Sequence, residues 1–315
     1  MTMHDVLTLP MIKKQRKGIF QVPTTDFSFK RIFGKEENKR FLIHFLNCFV
    51  AKYIGIIVDV EYLPTEIYGA IEEQKKVIFD IYCTDVQGRN FIIEMQRAPQ
   101  IDYVDRTFIY WARSVSSNPR RGNRKYSLVP TYSVNILDFE LPEYRGDDEC
   151  FRVVMLKDQN NKILTYKVGF FYINLCNFAA NQPEMTEAMR NWVKILKELP
   201  NMDENDYSRQ TGIFRDVMDN CRISILNTME KSEYDKSVLE YDDVQEALQC
   251  VRESYYQQGI EKGIEKGIEK GIEKGIETGR HSALCETAKK LLRMGVSLTK
   301  VSEATGLDLS EVQSL

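Results

Sequence analysis

The spacing of apolar residues changes several times along the chain, and each change predicts an element. Residues 24–53 carry helical spacing. TTDFSFKRIF opens with Thr25 or Asp26 as a candidate N-cap, and Phe41, Leu42, Phe45, Leu46, Phe49 and Val50 recur at helical intervals. The segment IIVDVEYL (56–63) is short and β-branched, which reads as a strand. KKVIFDIYCTD (75–85) and NFIIEMQ (90–96) are two further strands, joined by Val86-Gln87-Gly88-Arg89 with Gly88 where a positive φ is needed. Helical spacing returns over 100–117, with Ile101, Val104, Phe108, Trp111 and Val115 on one face. Strand candidates follow at 129–139, 151–156 and 162–175, so the order to about residue 175 is that of an α/β core. Helical patterns dominate 176–258. They lead into the repeat GIEKGIEKGIEKGIEKGIET (259–278) and two or three short helices over 282–315.

The alternation also predicts how the hairpin pairs. A four-residue loop at 86–89 gives an index sum of 175, which sets Asp80 against Met95. Phe79, Ile81 and Cys83 share one face of the first strand, and Phe91, Ile93 and Met95 share one face of the second. If these apolar sets bury the same side, the sum is near 174 and Asp80 lies opposite Glu94, with a bulge or a loop of different length at the glycine. Asp80, Glu94 and Gln96 then converge on one sheet face. Hard divalent ions such as Mg²⁺ bind through a few carboxylates plus water and phosphate, so the pair is a candidate metal site for phosphodiester chemistry. Gln96 can orient a water but carries no charge. Spacing alone is equally met by polar residues on the wet face of a half-exposed hairpin. The apolar run around Glu94 weighs against that, because an acid inside a strand covered on both sides needs a partner or a metal.

Composition narrows the class. The chain has 315 residues, 43% hydrophobic and 28% charged, an ordinary globular balance with room for one large domain and an appendage. No apolar run is long enough to span a bilayer, and the N-terminus lacks the pattern of a secretory signal. Seven scattered cysteines without a CxxC pair point to free thiols and a cytoplasmic setting, and away from a zinc site or a disulfide framework. The net charge of −3 hides an uneven distribution: residues 106–125 hold Arg106, Arg113, Arg120, Arg121, Arg124 and Lys125 and no acid. That field suits a phosphate backbone, and it equally describes a solvated basic loop.

Several segments in order resemble the recombination-promoting nuclease and transposase group of the PD-(D/E)XK nuclease superfamily. They are TDFSFKRIFG (25–34), NKRFLIHFLN (38–47), VEYLPTE (60–66), VIFDIYCTDVQGRNFIIEMQ (77–96), DRTFIYWARS (105–114) and LVPTYSVNILDF (128–139). The resemblance covers roughly residues 20–175. It implies a restriction-endonuclease-like core, with a mixed central sheet flanked by helices and a helical C-terminal extension. It further implies hydrolysis of DNA phosphodiesters with Mg²⁺ or Mn²⁺, and Asp80 and Glu94 as metal ligands. Gln96 stands where the wider superfamily usually has Lys, which removes a cation from the neighbourhood of the attacking water. Asp26 is a candidate to complete the metal shell, or is simply an N-cap. Lys30, one turn on, is placed to reach a phosphate or an active-site carboxylate. Arg106, Tyr110 and Arg113 follow i, i+4, i+7 spacing and form either a clamp on the DNA backbone or a plain surface stripe.

The implied division is a tail (1–23), a nuclease-like core (24–175), a helical extension (176–258), the repeat (259–280) and a small helical element (281–315). In the repeat, each Ile advances by about 40° around a helix, and each Gly costs about 1 kcal/mol relative to Ala. It reads as a self-association segment that would make a homo-oligomer, or as a tolerated linker; charge at every turn rules out a membrane span. Residues 283–315 resemble a helix-turn-helix whose last helix offers only Gln313 to a base edge, so a cap or dimerisation element fits better than a sequence reader. Three functions are compatible with these features: a metal-dependent DNA endonuclease, a non-catalytic nucleic-acid- or protein-binding module retaining the fold, and a multimerising partner protein.

Overall fold

The structure is a computed structural model that describes residues 16–67, 76–100, 102–117, 127–144, 146–178 and 182–315, without the side chain of Arg252. The basic positions Arg120, Arg121, Arg124 and Lys125 lie outside the described residues.

The helical stretch expected over 24–53 forms in pieces. Helix α1 is Asp26–Phe33, and its N-cap is Thr25, whose hydroxyl accepts from the Ser28 amide at 3.3 Å. Asp26 is therefore not the cap, and its carboxylate is left for other work. The Gly34 amide closes the helix onto the Lys30 carbonyl, and a Cβ at Gly34 would meet that oxygen at 2.9 Å. A 3₁₀ turn leads to α2 (Lys39–Phe49) and α3 (Ala51–Ile54). The apolar faces of α1 and α2, from Phe29 to Phe49, pack with Trp192 of α5 against one side of the sheet; α4 and α5 are Tyr103–Ser117 and Glu187–Glu198. Buried Trp192 keeps its indole N–H satisfied by donating to His44 Nδ1 at 2.9 Å.

The strands are β1 (Val60–Tyr62), β2 (Glu66–Ile67), β3 (Val77–Ile78), β4 (Ile81–Asp85), β5 (Asn90–Gln96), β6 (Thr131–Leu137), β7 (Phe151–Met155) and β8 (Val168–Asn174). Six form one sheet in the order β1-β4-β5-β6-β8-β7, while β2 and β3 make a separate ribbon. Pairing is antiparallel at β1/β4, β4/β5 and β7/β8 and parallel at β5/β6 and β6/β8, so the sheet is mixed. Helix α4 lies over the face opposite to α1, α2 and α5, which buries β5 and β6 on both sides. This is the mixed sheet flanked by helices that the resemblance implied.

Three expected strands are shorter than their segments, and one of them, 162–175, begins only at Val168. Only Val60–Tyr62 of 56–63 is paired, and 75–85 breaks at Phe79-Asp80 into β3 and β4. At the break Phe79 leaves the face of Ile81 and Cys83 and joins Val77, Tyr82 and Ile92 on the other side. The hairpin register is the even one: Ile81 pairs with Ile93 and Tyr82 with Ile92. The turn reaches that register with Gly88 at φ +72 and with Asp85 and Arg89 held inside. The Asp85 carboxylate accepts from the Gln87 and Arg89 amides, each at 2.9 Å, and from the Arg89 guanidinium at 2.6 Å. That guanidinium also donates to the carbonyl of Ile56 at 2.9 Å, tying the hairpin to the end of α3.

Beyond the sheet come α6 (Glu204–Ser208), α7 (Gly212–Asn220), α8 (Thr228–Arg293), α9 (Leu298–Thr305) and α10 (Leu309–Ser314). The described chain forms two compact units that divide after Glu246, and α8 supplies residues to both. The repeat is helical throughout, as part of α8. Among the described residues no helix is long and apolar enough to cross a membrane.

Removing one partner of a buried ion pair costs about 3–5 kcal/mol, because the remaining charge stays buried. Asp85→Ala is therefore expected to lower the unfolding free energy by about 3 kcal/mol or more in urea denaturation. A loss below about 1 kcal/mol would put the pair in the same class as an ordinary surface salt bridge.

Candidate active site

The site is built where β4 begins. Extended by one residue, the β4/β5 register places Asp80 opposite Glu94. Asp80 does not continue the ladder with its backbone. Its carboxylate does so instead, accepting from the Met95 amide at 2.7 Å. A side-chain acceptor in place of a backbone carbonyl explains why the strand breaks here while β5 runs on to Gln96.

Glu94 sits on the central strand and is 3% exposed; Gln96, two residues on, shares its face and is 9% exposed. Gln96 donates from Nε2 to Glu94 Oε2 at 3.3 Å, and Arg106 of α4 stands 3.9 Å from the same oxygen. Glu94 Oε1 is buried with no hydrogen-bond partner. Burial first, and the neighbouring charge of Asp80 second, push the Glu94 carboxyl up to about 8; Arg106, the Asp80 backbone and Gln96 pull the other way. Asp80 is also raised, mainly by burial, and the Met95 amide opposes this. The two acids thus disfavour each other's ionised form, and one buried oxygen lacks any donor. A divalent cation would satisfy both conditions, so the residues present fit such an ion.

Asp26 and Lys30 pair with each other at 2.8 Å on the half-exposed face of α1. Both are near enough to act on Asp80, Asp26 raising its pKa and Lys30 lowering it. As it stands, Asp26 does not close with Asp80 and Glu94 into a tight three-acid group; among the described residues, ligand atoms within 4.8 Å of one another occur in a different trio. On α4, Arg106 lies over the Tyr110 ring at 4.7 Å, and Tyr110 packs edge-on to Phe79. Arg113, two turns beyond Arg106, is half-buried and does not line the space beside Glu94.

That space is a cavity of about 10 Å³ bounded by Glu94, Tyr103, Arg106, Thr107, Tyr110, Ser133 and Asn135, at the lower limit for one water. Its lining adds to the expected α4 face. The fully buried residues are Tyr103, Thr107 and Ser114; of the expected face, Val104 and Trp111 pack half-buried on the core, Phe108 is exposed but touches Phe170, and Ile101 lies outside the described residues. Tyr103 donates to Asn135 Oδ1 at 2.9 Å, Thr107 bonds the Tyr172 hydroxyl at 3.1 Å, and Ser114 donates to the Tyr82 hydroxyl at 2.9 Å. The sequence carried a signal for this layer: Ser133 and Asn135 alternate with Val134 and Ile136 in a strand that is otherwise apolar.

The chain belongs to the family described as PD-(D/E)XK nuclease family transposase, whose model matches residues 23–250. Nucleases of this type typically use divalent metals. No curated protein and no solved structure matches the chain. The matched span holds the whole sheet, Asp80, Glu94 and Gln96, and continues through α5, α6 and α7 into α8.

The raised Glu94 carboxyl has a consequence for stability. A protonated Glu94 favours the fold. That contribution is complete below the unfolded value of about 4.3 and is lost as pH rises through about 8. With chelator present, the melting temperature of the wild type should therefore fall relative to Glu94→Gln across that window. Parallel curves would show that Glu94 is not buried as described.

Proposed function

We propose that this protein is a divalent-metal-dependent DNA endonuclease that hydrolyses phosphodiesters at the Asp80–Glu94 site. The observation that carries this reading is Glu94: a carboxylate buried in the central strand, beside a second acid, with one oxygen lacking a donor. Such an arrangement costs stability and is retained where a cation is to be held. Membership of a nuclease family supports the same chemistry and DNA as the substrate.

In this reading Asp80 and Glu94 are the metal ligands and Asp26 completes the shell by leaving Lys30. When bound, Mg²⁺ or Mn²⁺ supplies Lewis-acid polarisation of the phosphodiester and stabilises charge on the leaving oxygen. The bond of Gln96 Nε2 to Glu94 fixes its amide plane and turns Oε1 away from Glu94, where it can accept a hydrogen bond from the attacking water. Lys30, freed from Asp26, supplies a positive charge at the site's margin. Arg106, held over Tyr110, offers its guanidinium to a phosphate, and Arg113 extends that contact along α4. The seven free cysteines fit a cytoplasmic enzyme.

Purified protein incubated with supercoiled plasmid and Mg²⁺ or Mn²⁺ is expected to nick it. Asp80→Ala and Glu94→Ala should each reduce the rate by roughly 100-fold or more, the loss of several kcal/mol of transition-state stabilisation. Nicking that persists in both variants would remove these residues from the site. A wild type that binds DNA without cutting would favour a non-catalytic binding module.

The exposed Ile260, Ile264, Ile268, Ile272 and Ile276, 39–68% accessible along the repeat, support a homo-oligomer formed through α8. The interleaved glycines have open space around them, so a second helix could approach closely. Deleting 259–315 should lower the mass measured by light scattering to that of a monomer; an unchanged oligomer would dismiss the repeat as its basis.

A further inference from the structure

The C-terminal unit contains a group of side chains unrelated to the nuclease site. His281 and Cys285 are one turn apart on α8, and Glu311 comes from α10. Donor atoms of these three lie within 4.8 Å of one another, and among the described residues no other trio of His, Cys, Asp or Glu does so. The helices that carry them are held by a separate small core of Ala288, Val301, Leu307 and Val312, against which Leu284 and Cys285 pack. Apolar packing of these helices thus helps to position the trio.

Its internal geometry is specific. Cys285 Sγ lies 3.7 Å from His281 Nδ1, while His281 Nε2 lies 2.5 Å from Glu311 Oε1. A tetrahedral ion with bonds of about 2.0 Å to nitrogen and about 2.3 Å to sulfur needs those donors about 3.5 Å apart. The Nδ1–Sγ separation is close to that. Glu311 takes the other ring nitrogen. A carboxylate that accepts from Nε2–H fixes the tautomer with its lone pair on Nδ1 and holds the ring's orientation, as outer carboxylates do at histidine metal sites.

We propose that His281 Nδ1 and Cys285 Sγ chelate a borderline transition-metal ion of the Zn²⁺ class, with Glu311 as a positioning residue for the imidazole. Thiolate and imidazole select such an ion over Mg²⁺, which requires oxygen ligands, so this site and the proposed catalytic one would take different metals. The helical i, i+4 pair supplies two donors and leaves the remaining positions to water. Binding releases the thiol proton, and it draws α8 and α10 together through the His281–Glu311 bond. The scattered cysteines gave no hint of this in the sequence, because the pairing is of one cysteine with a histidine and not of two cysteines.

The test uses the full-length chain, reduced and stripped of metal by chelator, titrated with Co²⁺. The expected result is a thiolate-to-cobalt charge-transfer band saturating at one equivalent per chain and bleached by Zn²⁺. Glu94→Ala should leave the band intact, since a carboxylate site contains no sulfur. Cys285→Ser should abolish it. Glu311→Gln should retain the band but weaken Co²⁺ binding by roughly 10–100-fold. A wild type with no such band, or a band that survives in Cys285→Ser, overturns the proposal; Glu311→Gln binding as tightly as the wild type overturns the role given to Glu311.

Discussion

One constraint organises the first unit: a glutamate is placed on a central strand of the sheet that is buried along its whole length. A carboxylate in such a position is costly unless it is paired, protonated or bound to a cation. The surroundings answer only part of that cost. Gln96 donates to one oxygen, Arg106 stands at 3.9 Å, and Oε1 receives nothing. The helix covering Glu94 is shaped by the same need. An apolar α4 would seal the carboxylate in a hydrocarbon layer, whereas Tyr103, Thr107 and Ser114 form a hydrogen-bonded polar layer with Asn135, Tyr172 and Tyr82. Tyr103 is raised well above the ordinary tyrosine range by burial and by the Glu94 charge, and so stays a neutral donor beside it. These bonds fix α4 over the sheet, and with it the position of Arg106.

Much of this was legible because strand faces alternate. The even register of the hairpin follows from matching Ile81 and Cys83 with Phe91, Ile93 and Met95, and it brings Asp80 to Glu94 without any knowledge of the turn. Phe79 violated the pattern because the strand is interrupted beside it: the Asp80 carboxylate takes over a backbone role at Met95, and the chain rotates before β3. Alternation cannot register a break that a side chain creates. The same limit explains α1. Thr25 and Asp26 are equally good caps by residue type, and only the bond to the Ser28 amide decides for Thr25. On α4, apolar spacing pointed correctly to Val104 and Trp111, but the most buried residues beside them, Tyr103, Thr107 and Ser114, carry hydroxyls, and a hydrophobic pattern is blind to a polar interface. The remaining gap is long-range: no local period could report which part of the chain covers α1.

That cover is the first part of α8, which lies within the span the family model matches. Glu230 pairs with Arg31 on α1, and Ser237 Oγ and Tyr234 Oη accept from the Phe27 and Val22 amides at 3.3 and 3.2 Å. The first amides of a helix have no partner within it, so the Ser237 hydroxyl helps set where α1 begins. Further along, the Tyr241 hydroxyl donates to Asp138 at 3.2 Å, and the Asp138 amide donates to the Gln96 carbonyl at 2.9 Å. The same helix therefore touches α1, which carries Asp26 and Lys30, and the strand end that carries Gln96. It leaves a cavity of about 590 Å³ against α1, with Asp26, Lys30 and Lys35 on one wall and Glu230, Lys236 and Glu240 on the other. A helix more than 100 residues away in sequence thus touches both the helix that carries Asp26 and the residue bonded to the Gln96 carbonyl, and this part of α8 belongs to the same compact unit as the sheet.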